Sequence, residues 1–194
     1  MSRTKEFEPN IVLDKAMHLF WYRGYNATSM QELVNHLGIS RSSLYESFGD
    51  KKELYVNCLR KYRNEYTEQM LQKLQNTESL PLTLEKILKY IIEDSLHAKQ
   101  QLGCFMINAT LEFGGEEKEI AKIIEENNNS MLSTLITSIQ NAQLKKQINT
   151  RYSAEALSHF FMNAISGLRI LGSTCKDEKT LEESAKITLE VFKS

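Results

Sequence analysis

The sequence predicts an all-α protein of about nine helices. Apolar residues recur at spacings of three and four through most of the 194-residue chain, which is the spacing that lines one face of a helix. No stretch alternates apolar and polar residues between hairpin turns, as strands would. The eight glycines and two prolines fall mostly between the periodic stretches, where helices begin and end.

Each predicted helix is justified by its apolar face and its boundary residues. Pro9 and Pro81 stand where the first and fifth helices begin, because a first helical turn does not need the N–H that proline lacks. Leu84, Ile87 and Ile91 show the helical spacing most clearly in the fifth helix. The predicted helices span residues 10–23, 29–36, 40–47, 51–75, 81–100, 103–112, 116–143, 153–172 and 177–193.

The composition is that of a globular protein from a reducing compartment. Hydrophobic residues make up 41% and charged residues 25% of the chain, and the net charge is −1. Residues 1–63 nevertheless hold ten basic and seven acidic side chains, a local excess of positive charge. Three cysteines without a CxxC pair predict neither a disulfide framework nor a zinc site. With no apolar leader and no apolar run long enough for a membrane, we expect a cytoplasmic protein with no membrane partner.

Residues 36–54, HLGISRSSLYESFGDKKEL, predict a helix-turn-helix. Gly38 permits the positive φ of a tight turn between two short helices, and Ser40 can cap the second helix. Leu33 and Leu44 can pack inward on either side of this turn. A plain helical hairpin with a solvated face is the alternative that the spacing alone leaves open.

The outward face of the second short helix carries short or flexible polar side chains. Small side chains let a helix backbone approach base edges, while hydroxyl and ammonium groups nearby can reach phosphates. Glu46 is the exception, since an acid near phosphate is unfavourable; it either accepts from a cytosine amino group or, as we favour, pairs with Arg41 or Arg63. The candidate DNA-binding residues are Thr28, Ser29, Ser40, Arg41, Ser42, Ser43, Tyr45 and Lys51.

Residues 12–54 resemble the DNA-binding domain of tetracycline-repressor (TetR) family transcriptional regulators. The matching stretches are VLDKAMHLF, GYNATSMQELVNHLGIS, LYESF and KKEL, in that order. The resemblance implies a helix-turn-helix DNA-binding domain over residues 1–50, with its recognition helix at about 40–47, and a ligand-binding and dimerisation domain over residues 51–194. It also implies a ligand-responsive regulator of double-stranded DNA, which in most members of the family is a repressor, with an activator left open as the alternative. A helical interaction protein that binds no DNA is the alternative.

The same resemblance implies a homodimer that uses the last two long helices of each chain. The eighth predicted helix agrees, because its apolar residues cover more than one face, although they could instead serve the chain's own core. A dimer predicts a palindromic operator. The candidate interface residues are Leu157, Phe160, Ala164, Leu168, Leu181, Ala185 and Leu189.

A pocket for an unknown small-molecule inducer is expected in the helical body. An apolar lining rich in methionine would suit a hydrophobic or aromatic ligand. Cys104 stands at a predicted helix start, which favours the reactive thiolate, so an electrophile-sensing cysteine is the alternative to the favoured small buried residue. The candidate wall residues are Tyr66, Met70, Ile91, Cys104, Phe105, Met106, Leu111, Leu135, Phe161 and Ile165.

The sequence carries no motif of an enzyme. The four histidines are scattered without an HExxH pair, and there is no GxSxG, glycine-rich phosphate loop or paired-cysteine metal site. We therefore expect no catalytic activity, no metal and no cofactor.

Overall fold

The computed structural model describes residues 7–97, 102–175 and 177–193, and all regular structure in these ranges is helical, which confirms the predicted fold class. No helix within these ranges has an apolar stretch that could cross a membrane. The α-helices are α1 Pro9–Arg23, α2 Met30–Leu37, α3 Arg41–Phe48, α4 Lys51–Tyr62, α5 Glu68–Gln75, α6 Leu80–His97, α7 Phe105–Phe113, α8 Lys118–Leu144, α9 Ala154–Thr174 and α10 Glu178–Glu190.

The predicted helix over residues 51–75 forms one helical run, but its middle is a π-helix. This segment, Arg63–Thr67, separates α4 from α5. If α4, the π-helix and α5 are counted as one continuous helix, the described part of the chain has nine helices, as predicted. The π-helix was not predicted, because a local change from i→i+4 to i→i+5 hydrogen bonding has no residue signature of its own.

The other predicted boundaries that fall on described residues agree with the structure to within two residues, except that the last helix ends at Glu190 rather than at residue 193. The predicted helix 103–112 begins two residues later, at Phe105, because Gly103 has a left-handed φ of 65° that a helix cannot contain. The predicted helix 81–100 is observed as far as His97, and its last three residues lie outside the described residues.

The chain divides into two compact units by its internal contacts. The first comprises Met1–Glu65 and Phe105–Ile124, and the second comprises Tyr66–Cys104 and Glu125–Ser194. The predicted boundary after residue 50 concerns function and stays a prediction. The contacts divide the chain elsewhere, because α4 packs against α1 and against α7.

An aromatic core holds the first unit together. Tyr55 of α4 is 1% exposed, and its ring centroid lies 5.0 Å from that of Phe20 and 5.3 Å from those of Phe105 and Phe113. Such edge-to-face and tilted contacts are favourable beyond the area they bury. The core therefore joins α1, α4 and α7 directly.

In the second unit, α6, α9 and α10 pack against one another. Leu157 and Phe161 of α9 and Leu181 of α10 are at most 1% exposed in this core. Gly172 allows the close approach of α9 to α6, because a Cβ there would lie only 2.5 Å from Oγ of Ser95. The most buried part of the apolar stripe of α9 is thus covered by neighbouring helices of the same chain.

Candidate nucleic-acid interface

Helix α2 is set by a hydrogen-bonded cap at its start and a glycine at its end. The Ser29 hydroxyl accepts the Glu32 N–H at 3.2 Å, and the Glu32 carboxylate accepts the Ser29 N–H at 2.9 Å. This reciprocal pair satisfies N–H groups that a helix start leaves free, and the hydrogen bond from Ser29 lowers the pKa of Glu32. Gly38 then ends α2 with a left-handed φ of 69°, as predicted.

Helix α3 presents a polar face because its apolar face is anchored. Leu44 is fully buried and Phe48 is 9% exposed. Ser40 caps the helix as predicted, since its hydroxyl accepts the Ser43 N–H at 3.1 Å. The opposite face of α3 exposes Arg41, Ser42, Tyr45 and Glu46.

Two cations near this face rest on aromatic rings. The Arg41 guanidinium lies 5.9 Å from the centroid of the Tyr45 ring, and Nζ of Lys51 lies 4.1 Å from that of Tyr25. Burial lowers the pKa of Lys51, while the carboxylate of Glu112 acts in the opposite direction. The Lys51 ammonium is therefore already held over an aromatic ring, and any ligand that binds it must replace this cation–π contact.

Thr28 occupies a different position from the one predicted. Its side chain is fully buried, and its hydroxyl donates to the Gly24 carbonyl at 2.6 Å. The hydroxyl is therefore not available to a phosphate in this structure; it holds the turn that leads into α2. Ser29 is exposed, as a phosphate contact requires, although its hydroxyl also donates to Glu32 at 3.0 Å.

The favoured pairing of Glu46 is wrong. Glu46 is exposed, and among the described residues it forms no ion pair with Arg41 or Arg63. The reason is geometric, because the Arg41 side chain is placed over Tyr45 instead. Acceptance of a hydrogen bond from a cytosine amino group stays a prediction for Glu46.

The candidate pocket residues divide between the two units. Leu111 was wrongly placed in a wall, since it is 73% exposed on α7. Phe105 and Met106 are buried in the first unit, and Cys104 is half-buried immediately before α7. The candidates in or against the core of the second unit are Met70, Ile91, Leu135, Phe161 and Ile165, and Tyr66 is 36% exposed.

Four of the candidate interface residues are buried within the chain's own core. Leu157, Leu168, Leu181 and Ala185 are each at most 7% exposed, because α6, α9 and α10 pack together, so they cannot form the surface expected of them. Phe160, Ala164 and Leu189 keep some exposure and stay predictions. Ile170 of α9 and Ile187 of α10 were not among the predicted residues and are 53% and 68% exposed.

Missed residue Ile170 could have been found from helical spacing. It lies ten residues after Phe160 and three after the exposed Gly167, so these three residues share one face of α9. The predicted stripe of this helix ran from Leu157 to Leu171 and left Ile170 out. Only burial separates the part of the stripe that the chain itself covers.

Comparisons with known proteins agree with this architecture. The model described as "Bacterial regulatory proteins, tetR family" matches residues 12–58, and "Tetracyclin repressor-like, C-terminal domain" matches residues 83–188. The HTH-type transcriptional regulator YezE of Bacillus subtilis is 24% identical over 193 residues, covering 99% of this chain and 100% of YezE. The HTH-type transcriptional repressor ComR of Escherichia coli is 27% identical over 191 residues, covering 98% and 91%.

A solved structure shows the same fold. A cysteine mutant of the TetR family regulator CifR, complexed with a 26-base-pair operator DNA, has a TM-score of 0.86 and 19% identity, covering 98% of this chain and 100% of CifR. The matching models and relatives are transcriptional regulators rather than enzymes. With the C-terminal model spanning more than half of its length, this chain belongs to the TetR family of DNA-binding transcriptional regulators.

Proposed function

We propose that the protein is a repressor that binds a palindromic operator as a homodimer and is released by a small hydrophobic or electrophilic inducer. The exposed polar face of α3, presented by the buried Leu44 and Phe48, is the observation that carries this proposal. ComR, a relative along nearly the whole chain, is itself a repressor, which supports the direction of control.

The proposed base contacts come from the exposed start of α3. Arg41 has the donor geometry for guanine, and Ser42 is short enough to let the helix backbone approach the groove floor. Ser29, Tyr45 and Lys51 are proposed to contact phosphates, which sets register without reading sequence. Ser40 acts as the cap that orders this segment, and Ser43 is partly turned toward it.

The test is selection of duplexes from a random pool by the purified protein, followed by footprinting of the enriched sequence. We expect a palindrome whose half-sites lie roughly 34–36 Å apart or a multiple of this distance. Arg41→Ala should weaken binding to that palindrome about tenfold, as expected for loss of one base contact. The matched control is Arg151→Ala, at an exposed arginine of the second unit, which should leave affinity unchanged.

Enrichment of no sequence, or equal losses in the two arginine variants, would contradict the proposed recognition surface. A protein that docks another protein through this hairpin would also show little dependence of binding on salt. Phosphate contacts instead give a steep loss of affinity as salt concentration rises. The salt titration therefore separates the operator proposal from the alternative of a helical interaction protein.

Dimerisation is proposed through the exposed apolar face of α9 together with an exposed apolar residue of α10. Phe160, Gly167 and Ile170 share this face, and Ile187 is the most exposed large apolar residue of α10. A Cβ built on Gly167 meets nothing within 4 Å, so this part of α9 is open to close approach by another helix. A two-fold axis here would repeat the recognition helix, as a palindrome requires.

Two alternatives remain for the inducer. A hydrophobic ligand would bind among the apolar residues of the second unit, and an electrophile would modify Cys104, which is half-buried rather than fully enclosed. In either case the ligand can release DNA only by binding one conformation more tightly than the other. Cys104→Ser should keep operator binding and lose release by a quinone, whereas Cys175→Ser is the matched control at another half-buried cysteine. If the quinone still releases Cys104→Ser from DNA, the electrophile alternative is wrong and the hydrophobic ligand is the remaining one.

A further inference from the structure

One carboxylate of α7 binds the backbone of the turn between α1 and α2. Glu112 accepts the N–H of Tyr25 at 2.8 Å and the N–H of Asn26 at 2.6 Å. These are charge-assisted hydrogen bonds between segments 86 and 87 residues apart. Helix α7 is thereby hydrogen-bonded to the backbone directly before the helix-turn-helix.

The turn accommodates this carboxylate because it has a glycine at its closest point. Gly24 has a φ of 83°, which side chains rarely adopt, and a Cβ there would lie 3.2 Å from both carboxylate oxygens of Glu112. The Gly24 carbonyl in turn accepts the buried Thr28 hydroxyl at 2.6 Å. Glu112 thus binds Tyr25, and the preceding residue Gly24 binds Thr28, which stands directly before the cap of α2.

Other residues in and after α7 also contact the first unit, but their contacts do not substitute for the hydrogen bonds of Glu112. The Phe113 ring lies 5.1 Å from that of Tyr25. The ion pair of Lys52 with Glu117 is about 40% exposed, and pairs of this kind contribute little. Glu112 therefore provides the directional hydrogen bonds to this turn, whereas the rings provide packing without a fixed angle.

The chain also connects α7 directly to the other unit. It passes between the units after residues 65, 104 and 124, and the second passage leads straight into α7 at Phe105. Helix α7 therefore belongs to the first unit, although residues 66–104, which precede it in the chain, belong to the second.

We propose that Glu112 is a positioning residue for operator binding, which fixes the orientation of α2 and α3 by holding the Gly24–Asn26 turn. The proposal rests on the proposed function, because it concerns how well two recognition helices fit two half-sites. Loss of the carboxylate would not remove any contact with DNA. It would allow each recognition helix a wider range of orientations, at a cost in specific affinity.

The test compares Glu112→Gln with wild type and with Glu116→Gln. Glutamine keeps one acceptor oxygen but turns an amide donor toward the second N–H, so one hydrogen bond and the charge are lost. Glu116→Gln removes an equal charge from an exposed side chain in the loop after α7. The probes are the palindrome selected by the wild-type protein and two duplexes whose half-sites stand one base pair closer or farther apart.

We expect Glu112→Gln to bind the selected palindrome more weakly, by up to about tenfold, because operator binding must then order the turn that the lost charge-assisted hydrogen bond holds in wild type. We also expect its preference for the correct spacing over the two altered spacings to shrink, while Glu116→Gln behaves as wild type. Hydrogen exchange at the Tyr25 and Asn26 amides should accelerate only in Glu112→Gln. A residue needed merely for stability would lower the melting temperature without changing the spacing preference.

The outcomes separate this inference from the proposed function. If wild type selects no palindrome, the proposed function fails before Glu112 is tested. If wild type selects one and Glu112→Gln retains its affinity and spacing preference, the positioning role is wrong and the proposed function stands. Should Glu112→Gln fold poorly, the spacing preference of Glu112→Asp decides the question in the same way, because aspartate keeps the charge but is one methylene too short to hold both N–H groups.

Discussion

Ile170→Ser tests the proposed dimer interface, because the exposed fraction of Ile170 allows its contribution to dimer affinity to be estimated. In the single chain Ile170 is 53% exposed on the open face of α9. Complete burial of an isoleucine side chain contributes about 1.5–3 kcal/mol, so covering the exposed half contributes roughly 1 kcal/mol. A two-fold interface contains this residue twice, which gives about 2 kcal/mol. The dimer dissociation constant should therefore rise about thirtyfold.

Sedimentation equilibrium over a range of protein concentrations measures this constant. Leu82→Ser is the matched control, because Leu82 of α6 is 56% exposed in the same unit but lies off the open face of α9. Both variants lose a similar exposed apolar group, and only Ile170→Ser should dissociate. Denaturant unfolding of both variants measures any loss of stability of the single chain, so that such a loss is not mistaken for a weaker dimer. The reasoning is refuted if Ile170→Ser dimerises as tightly as wild type, or if Leu82→Ser dissociates equally.

Three further predictions concern single contacts. Ser40→Ala should remove the cap of α3, lower stability by about 1 kcal/mol, and speed amide exchange in that helix; exchange unchanged at Ser43 would contradict this. Thr67→Val should lower the free energy of unfolding by about 1–3 kcal/mol, because the buried side-chain oxygen Oδ1 of Asn127 loses the hydroxyl that donates to it at 2.8 Å. A denaturant midpoint equal to that of wild type would show that this hydrogen bond is dispensable. Burial raises the pKa of the Cys58 thiol, so a Cys104→Ser, Cys175→Ser variant should react with a thiol reagent only at the rate of unfolding; fast labelling of the folded protein would refute that burial.

The local features of the helix-turn-helix were predictable because their causes are local. A left-handed glycine at residue 38 and a serine cap at residue 40 follow from backbone sterics and from the free N–H groups of a helix start. The periodic helices were likewise predictable from their apolar faces. The π-helix Arg63–Thr67 was not, because it depends on hydrogen-bonding geometry within a continuous helix rather than on residue type.

Burial of individual side chains could not be assigned from the same patterns. Thr28 looked like a surface hydroxyl, but the tertiary structure turns it onto the Gly24 carbonyl. Leu157 and Leu181 looked like surface for a partner, whereas the packing of α6, α9 and α10 encloses them. Helical periodicity identifies which face of a helix is apolar, and it does not identify which neighbour covers that face.

By itself, the order of residues determined an all-helical chain with a serine-capped α3 near its start, because caps, turns and apolar spacing act over a few residues. Only the tertiary structure decided that Glu112 meets the turn at Tyr25 and Asn26, and that Ile170 remains open on α9. The physical reason is range. A carboxylate and two N–H groups more than eighty residues apart leave no trace in local spacing, and they become partners only when the helices between them have packed.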